Sequence, residues 1–294
     1  MKMSVKMSVC NNCPRKCNVD RTKSIGICGV GDNVKVARAG LHFGEEPCIS
    51  SKEGSGTIFF SGCSLKCVMC QNFDISHEVF GKEISVNRLA EIMKELEALG
   101  ANNINFVTPS HYVNQIEEAL NIYKPNIPLV YNSSGYDFPT TIKKDIFDVF
   151  LFDLKYYTAE KSLKYTKCSD YFVVASTAIK EAVKLKGKPI FDDRGLMQSG
   201  VIVRHLILPS STNDAISIIN WLNENTPEIV FSLMSQYVPM YKACEYKEIN
   251  RPITKREYEK VLGACYNTNF AEIYIQDRKS ASIEMIPDFD LTGI

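Results

Sequence analysis

The fold is decided by residues 57–70, TIFFSGCSLKCVMC, in which an apolar run ends at three closely spaced cysteines. The run 57–61 has the β-branched and aromatic content of a buried strand, and Gly62 ends it. Cys63, Cys67 and Cys70 follow, so three thiols lie within eight residues at the carboxyl end of that strand. Thiolates this close together are typical of a metal site. We therefore predict a strand followed by a loop that carries a metal centre.

The rest of the chain repeats short apolar runs that alternate with amphipathic stretches. Helical spacing of apolar residues starts after Ser85 and stops near Gly100, and further helices are predicted from about Asn213 and after Thr254. This alternation predicts βα units and a parallel sheet, either a full or partial barrel or an open, doubly wound sheet. In both, a site belongs at the carboxyl ends of the strands. The other predicted strands are residues 105–107, 128–131, 149–152, 201–208, 229–233 and 273–275.

Composition and charge argue against some kinds of binding partner. The 294 residues are 45% hydrophobic and 23% charged, as in globular proteins with a core, and the formal net charge is +0. This balance gives no electrostatic attraction to nucleic acid or to an anionic membrane, so neither is expected as a partner. The sequence has no apolar run typical of a signal peptide or a membrane span. We expect a cytoplasmic protein, in which the eleven cysteines stay reduced and serve metal or redox chemistry.

The number of cysteines in the loop 63–70 indicates which kind of metal centre it holds. Cysteine thiolates hold Fe–S clusters, and a cubane has four irons, so three cysteines leave one iron without a protein ligand. Catalytic zinc sites leave an open position of this kind for water or substrate, and we expect the same use here. Two alternatives stay open: a zinc knuckle with a remote fourth ligand, and three incidental buried thiols.

Residues 1–55 differ from the rest of the chain in composition and apolar periodicity, and they are predicted to form a small module separate from residues 56–294. They carry five of the cysteines, many Gly, Asn and Asp residues, and little periodic apolar pattern. Four thiolates indicate zinc or an auxiliary Fe–S cluster without deciding between them. Such a closed site would be structural or electron-relaying, and it would supply folding energy to a loop-rich module. The complete four-thiol set is Cys10, Cys13, Cys17 and Cys28.

The cysteine loop and several other segments resemble the radical S-adenosylmethionine (SAM) superfamily. Gly62 before the trio and Gln71-Asn72 after it are most similar to the branch of the pyruvate formate-lyase activating enzymes. The resemblance implies a partial (β/α)6 barrel and a [4Fe–4S] cluster on the three cysteines. It also implies reductive cleavage of SAM to methionine and a 5′-deoxyadenosyl radical, with a reductant protein such as flavodoxin or ferredoxin. In detail the chain is similar to an activase-like group with an extra amino-terminal four-cysteine module. The segments that carry this closer resemblance are residues 42–46, 61–72, 107–112, 132–136, 152–155, 203–209 and 235–240.

The same resemblance implies which residues bind SAM. Asn72 matches a residue that contacts the nucleoside. Asp153 and Lys155 match an Asp-Leu-Lys near the methionyl carboxylate or the substrate, and Arg204 matches a basic residue on the fifth strand. Gln236 lies in the last matching segment and joins the candidates. A helix cap is the structural alternative for Asp153.

Strand alternation separates Arg204 from its neighbour His205. Adjacent residues of a strand point to opposite faces of the sheet, so only one of these two side chains faces the inside of the barrel. We predict that Arg204 faces the inside and that His205 is a structural histidine under a helix.

One segment departs from the family pattern. Many members have Gly-Gly-Glu after the second strand to bind the methionyl amino group, whereas this chain has Thr108-Pro-Ser-His111. The hydroxyls of Thr108 and Ser110 and the ring of His111 are therefore candidate ligands, and His111 is also a candidate general acid–base. The alternative is a helix start with Ser110 as its N-cap. Asn132 and Ser133, after the third strand, are candidate ribose or carboxylate ligands by position.

Three functions stay open. The first is an activase, a radical SAM oxidoreductase whose adenosyl radical abstracts hydrogen from a glycine of a glycyl radical enzyme. The second is a radical SAM enzyme that acts on a small molecule or another peptide. The third is a metal-binding or electron-transfer protein without SAM chemistry, which the open coordination position disfavours. We prefer the first, although the four-cysteine module and a predicted loop insertion at 184–199 differ from a minimal activase.

Overall fold

The computed structural model describes residues 9–142, 146–278 and 287–294, so the first eight residues of the predicted 1–55 module lie outside the described ranges. The strands are β1 Val34–His42, β2 Ser55–Phe60, β3 Lys82–Ile84, β4 Ile104–Val107, β5 Leu129–Ser133, β6 Val149–Asp153, β7 Ile190–Phe191, β8 Met197–Leu206, β9 Val230–Met234 and β10 Glu272–Ile275. The helices are α1 Phe73–Ser76, α2 Val86–Ala98, α3 Val113–Ile122, α4 Ala159–Thr166, α5 Tyr171–Lys186, α6 Thr212–Asn225 and α7 Lys255–Cys265. Two short 3-10 helices are Pro139–Thr141 and Ala243–Glu245.

Most of the described strands form one parallel sheet in chain order. The order β2-β4-β5-β6-β8-β9-β10 places each strand beside the one before it, and β1 and β3 are added antiparallel at the β2 edge. A doubly wound sheet reverses direction at a switch point, whereas here every connection moves the same way, as in a barrel. Within the described residues β10 and β3 end the sheet without pairing to each other. The prediction of an α/β fold with a partial, open barrel is confirmed, and the doubly wound alternative is wrong.

The predicted helix ends are set by local hydrogen bonds. The Ser85 hydroxyl accepts from the backbone N–H of Arg88 at 3.1 Å, which fixes the start of α2. Thr254 and Glu257 form a capping box at the start of α7. Gly100 follows α2 with φ +84°, a conformation that favours glycine. These predictions are confirmed because each depends on residues a few positions apart.

The two faces of the sheet pack against different parts of the chain. One face packs against the helices through large aromatic residues such as Phe106, Tyr131 and Phe150. The inner face is apolar at the bottom, where alternate residues of the parallel strands pack against Cys48 and Ile49 of the segment after β1. The inner-face residues of this bottom layer are Val130, Val149, Leu151, Ile202 and Val230. The segment after β1 therefore closes the bottom of the partial barrel.

Two segments differ from the sequence-based expectations. No strand is predicted before residue 57, yet β1 pairs with β2 from Val36 to His42, so residues 34–42 belong to the main sheet. That 1–55 is a separate module stays a prediction, and its loop-rich described part is 9–33. The predicted loop insertion at 184–199 is wrong: α5 continues to Lys186, and β7 pairs antiparallel with the start of β8. Its turn residues build a hairpin, in which Asp192 Oδ1 accepts from the backbone of Arg194 and Leu196.

In the part of the chain that the structure describes, every helix is too short or too polar to cross a membrane.

Candidate active site

A cavity of about 260 Å³ opens at the carboxyl ends of the parallel strands. Its walls come from the ends of β2, β4, β5, β6, β8 and β9 and from the loops that follow them. This is where parallel α/β sheets place their sites. Of the sequence-predicted site residues, the cavity brings together Cys63, Cys67, Cys70, Asn72, Thr108, Asn132, Ser133, Asp153, Lys155, Arg204 and Gln236.

The backbone of the cysteine loop is held on both sides. Gly62 turns the chain with φ +88°, and a side chain there would come within 2.9 Å of the Cys28 carbonyl oxygen. The N–H of Cys63 donates to the same carbonyl at 3.1 Å. Further along, the N–H of Val68 donates to the carbonyl of Tyr165 at 3.0 Å. The loop is thus fixed between the amino-terminal cysteine segment and the end of α4.

The sulfurs of Cys63 and Cys70 accept hydrogen bonds from residues close to them in the chain. The N–H of Leu65 donates to Cys63 Sγ at 3.4 Å, and the hydroxyl of Ser76 donates to Cys70 Sγ at 3.2 Å. Hydrogen bonds of this kind stabilise a thiolate and adjust the potential of a bound cluster.

The chemistry of these thiols fits cysteine ligation of a cluster. Burial raises the pKa of Cys67 to about 12 and that of Cys70 to about 11; at Cys67 the Lys155 cation opposes the rise, while the neighbouring thiols add to it. All eleven cysteines are free of disulfides. Three reduced thiols that face one cavity beside a cation are a suitable donor set for iron, which binds thiolates and removes their protons.

No group of three or more His, Cys, Asp or Glu side chains within the described residues is arranged to hold a metal ion. The three loop thiols each line the wall of the cavity.

Arg204 stands at the centre of a polar floor beneath the cysteine loop. Its guanidinium donates to Asp153 at 2.7 Å, to Glu45 at 2.8 Å and to Asn132 at 3.0 Å. The ammonium of Lys155 donates to the other Asp153 oxygen at 2.8 Å. Burial alone raises the pKa of Asp153, but the two cations outweigh it and lower that pKa to about 2. The floor therefore offers fixed charges of both signs to a ligand in the cavity.

The structure places Arg204 and His205 as strand alternation predicts. Arg204 faces the cavity, whereas His205 is buried with its Nδ1 at 2.7 Å from the carbonyl oxygen of Leu154. The Asp153 carboxylate accepts hydrogen bonds from two cations, Lys155 and Arg204. This role differs from the helix cap that was its structural alternative.

Two carboxylates of this floor are missed by the sequence reasoning. Glu45 Oε1 accepts from the amides of Asn105 and Asn132, both at 3.1 Å, and Glu45 lines the cavity. Glu46 lies beside it, with Oε2 at 3.5 Å from Arg204 Nη1. The one sequence feature that could have indicated these two residues is the Glu-Glu pair inside residues 42–46, a segment that resembles the family. Spacing alone could not show that the segment after β1 enters the barrel.

Ser110 and His111 do not line the cavity. The Tyr131 hydroxyl donates to Ser110 Oγ at 3.1 Å, and His111 Nε2 lies 2.9 Å from the Ser61 carbonyl oxygen. Burial lowers the pKa of His111 to about 3, with Arg21 adding to the shift, so the ring is neutral. The structure gives neither residue the ligand role predicted for it. The N-cap prediction for Ser110 is also wrong, because Tyr112 is the N-cap of α3.

The remaining predicted ligands line the cavity and differ in whether their side chains already have a hydrogen-bond partner. Asn72 precedes α1 without using its side chain as a cap. The hydroxyl of Ser133 donates to Asp137 at 2.5 Å and is therefore already engaged. The Gln236 side-chain oxygen accepts from Gln276 at 3.1 Å. Thr108 has φ +61°, which is rare for a β-branched residue and typical of strained functional positions.

The four amino-terminal cysteines gather behind the cysteine loop and outside the cavity. The N–H of Cys10 donates to the Val19 carbonyl at 2.8 Å, which folds the start of this segment back against its middle. A side chain at Gly26 would meet Cys28 Sγ at 3.2 Å and Cys17 Sγ at 3.4 Å. Burial raises the pKa of Cys13 to about 12, and the nearby thiols of Cys28 and Cys10 add to the rise. The four thiols therefore lie in one region of the structure, but within the described residues they are not arranged to hold a metal ion, and a bound metal stays a prediction.

Solved structures with a similar fold are distant from this chain. SuiB from Streptococcus suis, solved bound to S-adenosylmethionine, is 14% identical with a TM-score of 0.48; the match covers 73% of this chain and 48% of that one. Methylornithine synthase (PylB) is 13% identical with a TM-score of 0.45, over 69% of this chain and 59% of that one. The chain thus spans about half the length of SuiB. Similarity this low carries no conclusion about activity or ligands.

Sequence comparison gives a closer relative. No protein-family model matches the chain. The uncharacterized protein MJ0674 of Methanocaldococcus jannaschii is 32% identical over 280 residues, which are 90% of this chain and 76% of that protein. At this identity and coverage, the chain belongs to the same family as MJ0674.

Proposed function

We propose that the chain is a radical SAM enzyme that holds a [4Fe–4S] cluster on Cys63, Cys67 and Cys70. The observation that carries the proposal is the shared cavity: the three thiols and the charged floor around Arg204 line the same space. A ligand there would touch both a metal centre and fixed cations and anions. A purely structural metal site has no need of such a floor.

The chemistry of the proposed cofactor explains why three cysteines suffice. Bound at these cysteines, a cluster with one iron free of protein ligands would supply the electron that reductive cleavage of SAM to methionine and a 5′-deoxyadenosyl radical requires. The chain's own part is to bind and orient SAM and to keep water out. Reduction requires a protein such as flavodoxin or ferredoxin as the electron donor.

The charged floor suits the two ends of the methionyl group. Its carboxylate matches the ammonium of Lys155, which also lies close enough to Cys67 for the two charges to interact. Its amino group needs an acceptor, and the oxygens of Asp153 and Asn132 line the same part of the wall. Since Ser110 and His111 are committed elsewhere, these floor residues are our candidates for the role of the missing Gly-Gly-Glu.

Apolar side chains complete the cavity on the other sides. They include Leu65, Met69, Leu206, Leu208 and Met234. Such a wall excludes water from a radical and lowers the dielectric around the charged floor, so each ionic contact to a ligand is stronger than in water.

A second metal at Cys10, Cys13, Cys17 and Cys28 belongs to the proposal, and zinc and an Fe–S cluster both stay open for it. The support is the gathering of four free thiols outside the cavity, where they serve no contact with the proposed substrate. Four cysteines would close the coordination of such a centre, so we assign it a structural or electron-relaying role.

For the hydrogen donor, we keep a glycine of a partner protein as the first candidate, as in the activases that the sequence resembles. The open sheet favours it, because a loop of a partner could approach the cavity past an unclosed edge. The alternative is a small molecule or another peptide. Recovery of a glycyl radical enzyme from anaerobic lysate would favour the activase, whereas turnover of a metabolite without such a partner would favour the alternative.

The test of SAM cleavage uses the anaerobically reconstituted chain with dithionite as reductant. We expect 5′-deoxyadenosine and methionine in equal amounts from the wild-type chain. Cys67→Ala should form neither, while Cys265→Ala, which removes a buried thiol on α7, should behave as wild type. Cleavage retained in Cys67→Ala would refute the cluster assignment.

A further inference from the structure

We propose that the four-cysteine segment, residues 10–28, positions the catalytic cysteine loop, and that a metal on its four thiols is what holds it in that position. This inference rests on the proposed function, because only that function makes the cysteine loop catalytic. The coupling between the two segments is a separate physical claim. It is carried by the contacts of Arg15, Cys28 and Gly62.

Arg15 joins the segment to the loop from between two of its cysteines. Its Nε donates to the carbonyl of Ser64 at 2.7 Å, and Nη2 donates to the carbonyl of Thr166 at 2.9 Å and, more weakly, to that of Leu65 at 3.4 Å. One guanidinium therefore fixes the loop against the end of α4. Since Arg15 lies two residues from both Cys13 and Cys17, its position depends on how those thiols are held.

Cys28 joins the segment to the loop at a second point. Its carbonyl accepts from the N–H of Cys63, the first cysteine of the loop, at 3.1 Å. The approach is close enough that a side chain on Gly62 would contact both this carbonyl and Val30 at 2.9–3.0 Å. One residue, Cys28, is thus a candidate metal ligand through its sulfur and a support for Cys63 through its carbonyl oxygen.

Besides its thiols, the segment is held by turns and by the buried Arg21, whose guanidinium donates to the carbonyls of His111 and Gly31. Residues 9–33 contain no helix or strand, and Cys13, Cys28 and Val30 are its main buried apolar side chains. Its regular hydrogen bonds are those of turns, such as Lys16 N–H to the Cys13 carbonyl at 3.1 Å. Small loop-rich modules of this kind usually depend on disulfides or a metal, and all the cysteines here are free. Loss of the metal is therefore expected to loosen Arg15 and Cys28 together.

The experiment measures metal content and hydrogen exchange on the full chain. Metals per chain are counted by mass spectrometry, and amide exchange is followed for peptides of residues 61–70, with β9 as an internal reference. The variants are Cys13→Ala, which removes a thiol of the set, and Arg15→Ala, which keeps all four thiols and removes the link. Cys265→Ala is the matched control for loss of one buried thiol.

We expect Cys13→Ala to lose the amino-terminal metal and to exchange about tenfold faster than wild type in 61–70, as for loss of one or two net hydrogen bonds. Arg15→Ala should keep the metal and show faster exchange in the same peptides. β9 should exchange unchanged in both. Should Cys13→Ala fail to fold, chelation of the wild-type metal and the Arg15 variant provide the same comparison.

Three results would overturn the inference. They are an unchanged metal count in Cys13→Ala, unchanged exchange in 61–70 after the metal is lost, and unchanged exchange in Arg15→Ala. The readout is independent of SAM cleavage: repeated in Cys67→Ala, which cannot complete the catalytic cluster, the coupling should persist. Failure of the proposed function and failure of the coupling are therefore separate outcomes.

Discussion

The buried carboxyl of Glu46 predicts how the stability of the chain depends on pH. Its side chain is 6% exposed and 3.5 Å from Arg204, and its Oε2 has no hydrogen-bond partner among the described residues. Burial raises the pKa of Glu46 from 4.5 to about 7, although the Arg204 cation opposes the rise. The folded chain therefore keeps a proton that the unfolded chain releases. The stability that this carboxyl contributes is fully present below pH 4.5 and is lost as the pH rises through about 7.

The size of the effect follows from that rise. At 1.36 kcal/mol for each unit of pKa, a change from 4.5 to about 7 corresponds to about 3 kcal/mol. Glu46→Gln keeps the shape of the side chain and cannot ionise. The free energy of unfolding of Glu46→Gln minus that of wild type should therefore grow by about 3 kcal/mol between pH 4.5 and about 8.

The assay is urea unfolding at several pH values in one fixed state of metal loading. Comparison with wild type at each pH cancels the titration of all other groups. Glu224→Gln, a change at an exposed helix position, is the control for a Glu-to-Gln substitution as such. A flat difference for Glu46→Gln, or one that shrinks as the pH rises, would refute the burial argument.

Three further substitutions have definite expected outcomes. Arg204→Gln removes the cation that pairs with Glu45 and one of the two that pair with Asp153, and it should cost about 3–5 kcal/mol in urea unfolding; unchanged stability would contradict the ion pairs of the floor. Lys155→Met removes the proposed partner of the methionyl carboxylate and should weaken SAM binding about 10- to 100-fold in equilibrium dialysis; unchanged affinity would exclude that contact. Thr254→Ala removes the capping box of α7 and should cost about 1 kcal/mol in thermal unfolding, while Thr254→Ser should restore most of it.

The elements that sequence predicted well are those set by neighbours in the chain. The predicted parallel strands, which are β2, β4, β5, β6, β8, β9 and β10, are short apolar runs between turn residues, and Ser85 and Thr254 mark their helices by local capping. The inward direction of Arg204 followed from the two-residue period of a strand. These features depend on a few adjacent residues, so a single sequence carries them.

The missed features depend on tertiary contacts. β1 interleaves charged residues such as Lys35 and Arg38 with its apolar ones, so only its pairing with β2 and β3 identifies it. Glu45 and Glu46 reach the site because the segment after β1 enters the barrel, which no local pattern indicates. His111 stands next to a strand end but is drawn away by its bond to the Ser61 carbonyl. Proximity in sequence to the site was a poor guide to which side chain enters it.

The central claim is that Cys63, Cys67 and Cys70 hold a [4Fe–4S] cluster that SAM can reach. The most direct measurement is electron paramagnetic resonance of the anaerobically reconstituted, reduced chain with and without SAM. We predict a [4Fe–4S]+ signal that changes when SAM is added, is retained in Cys265→Ala and is absent or strongly altered in Cys67→Ala. A chain that takes up only zinc, or a cluster signal indifferent to SAM, would contradict the claim.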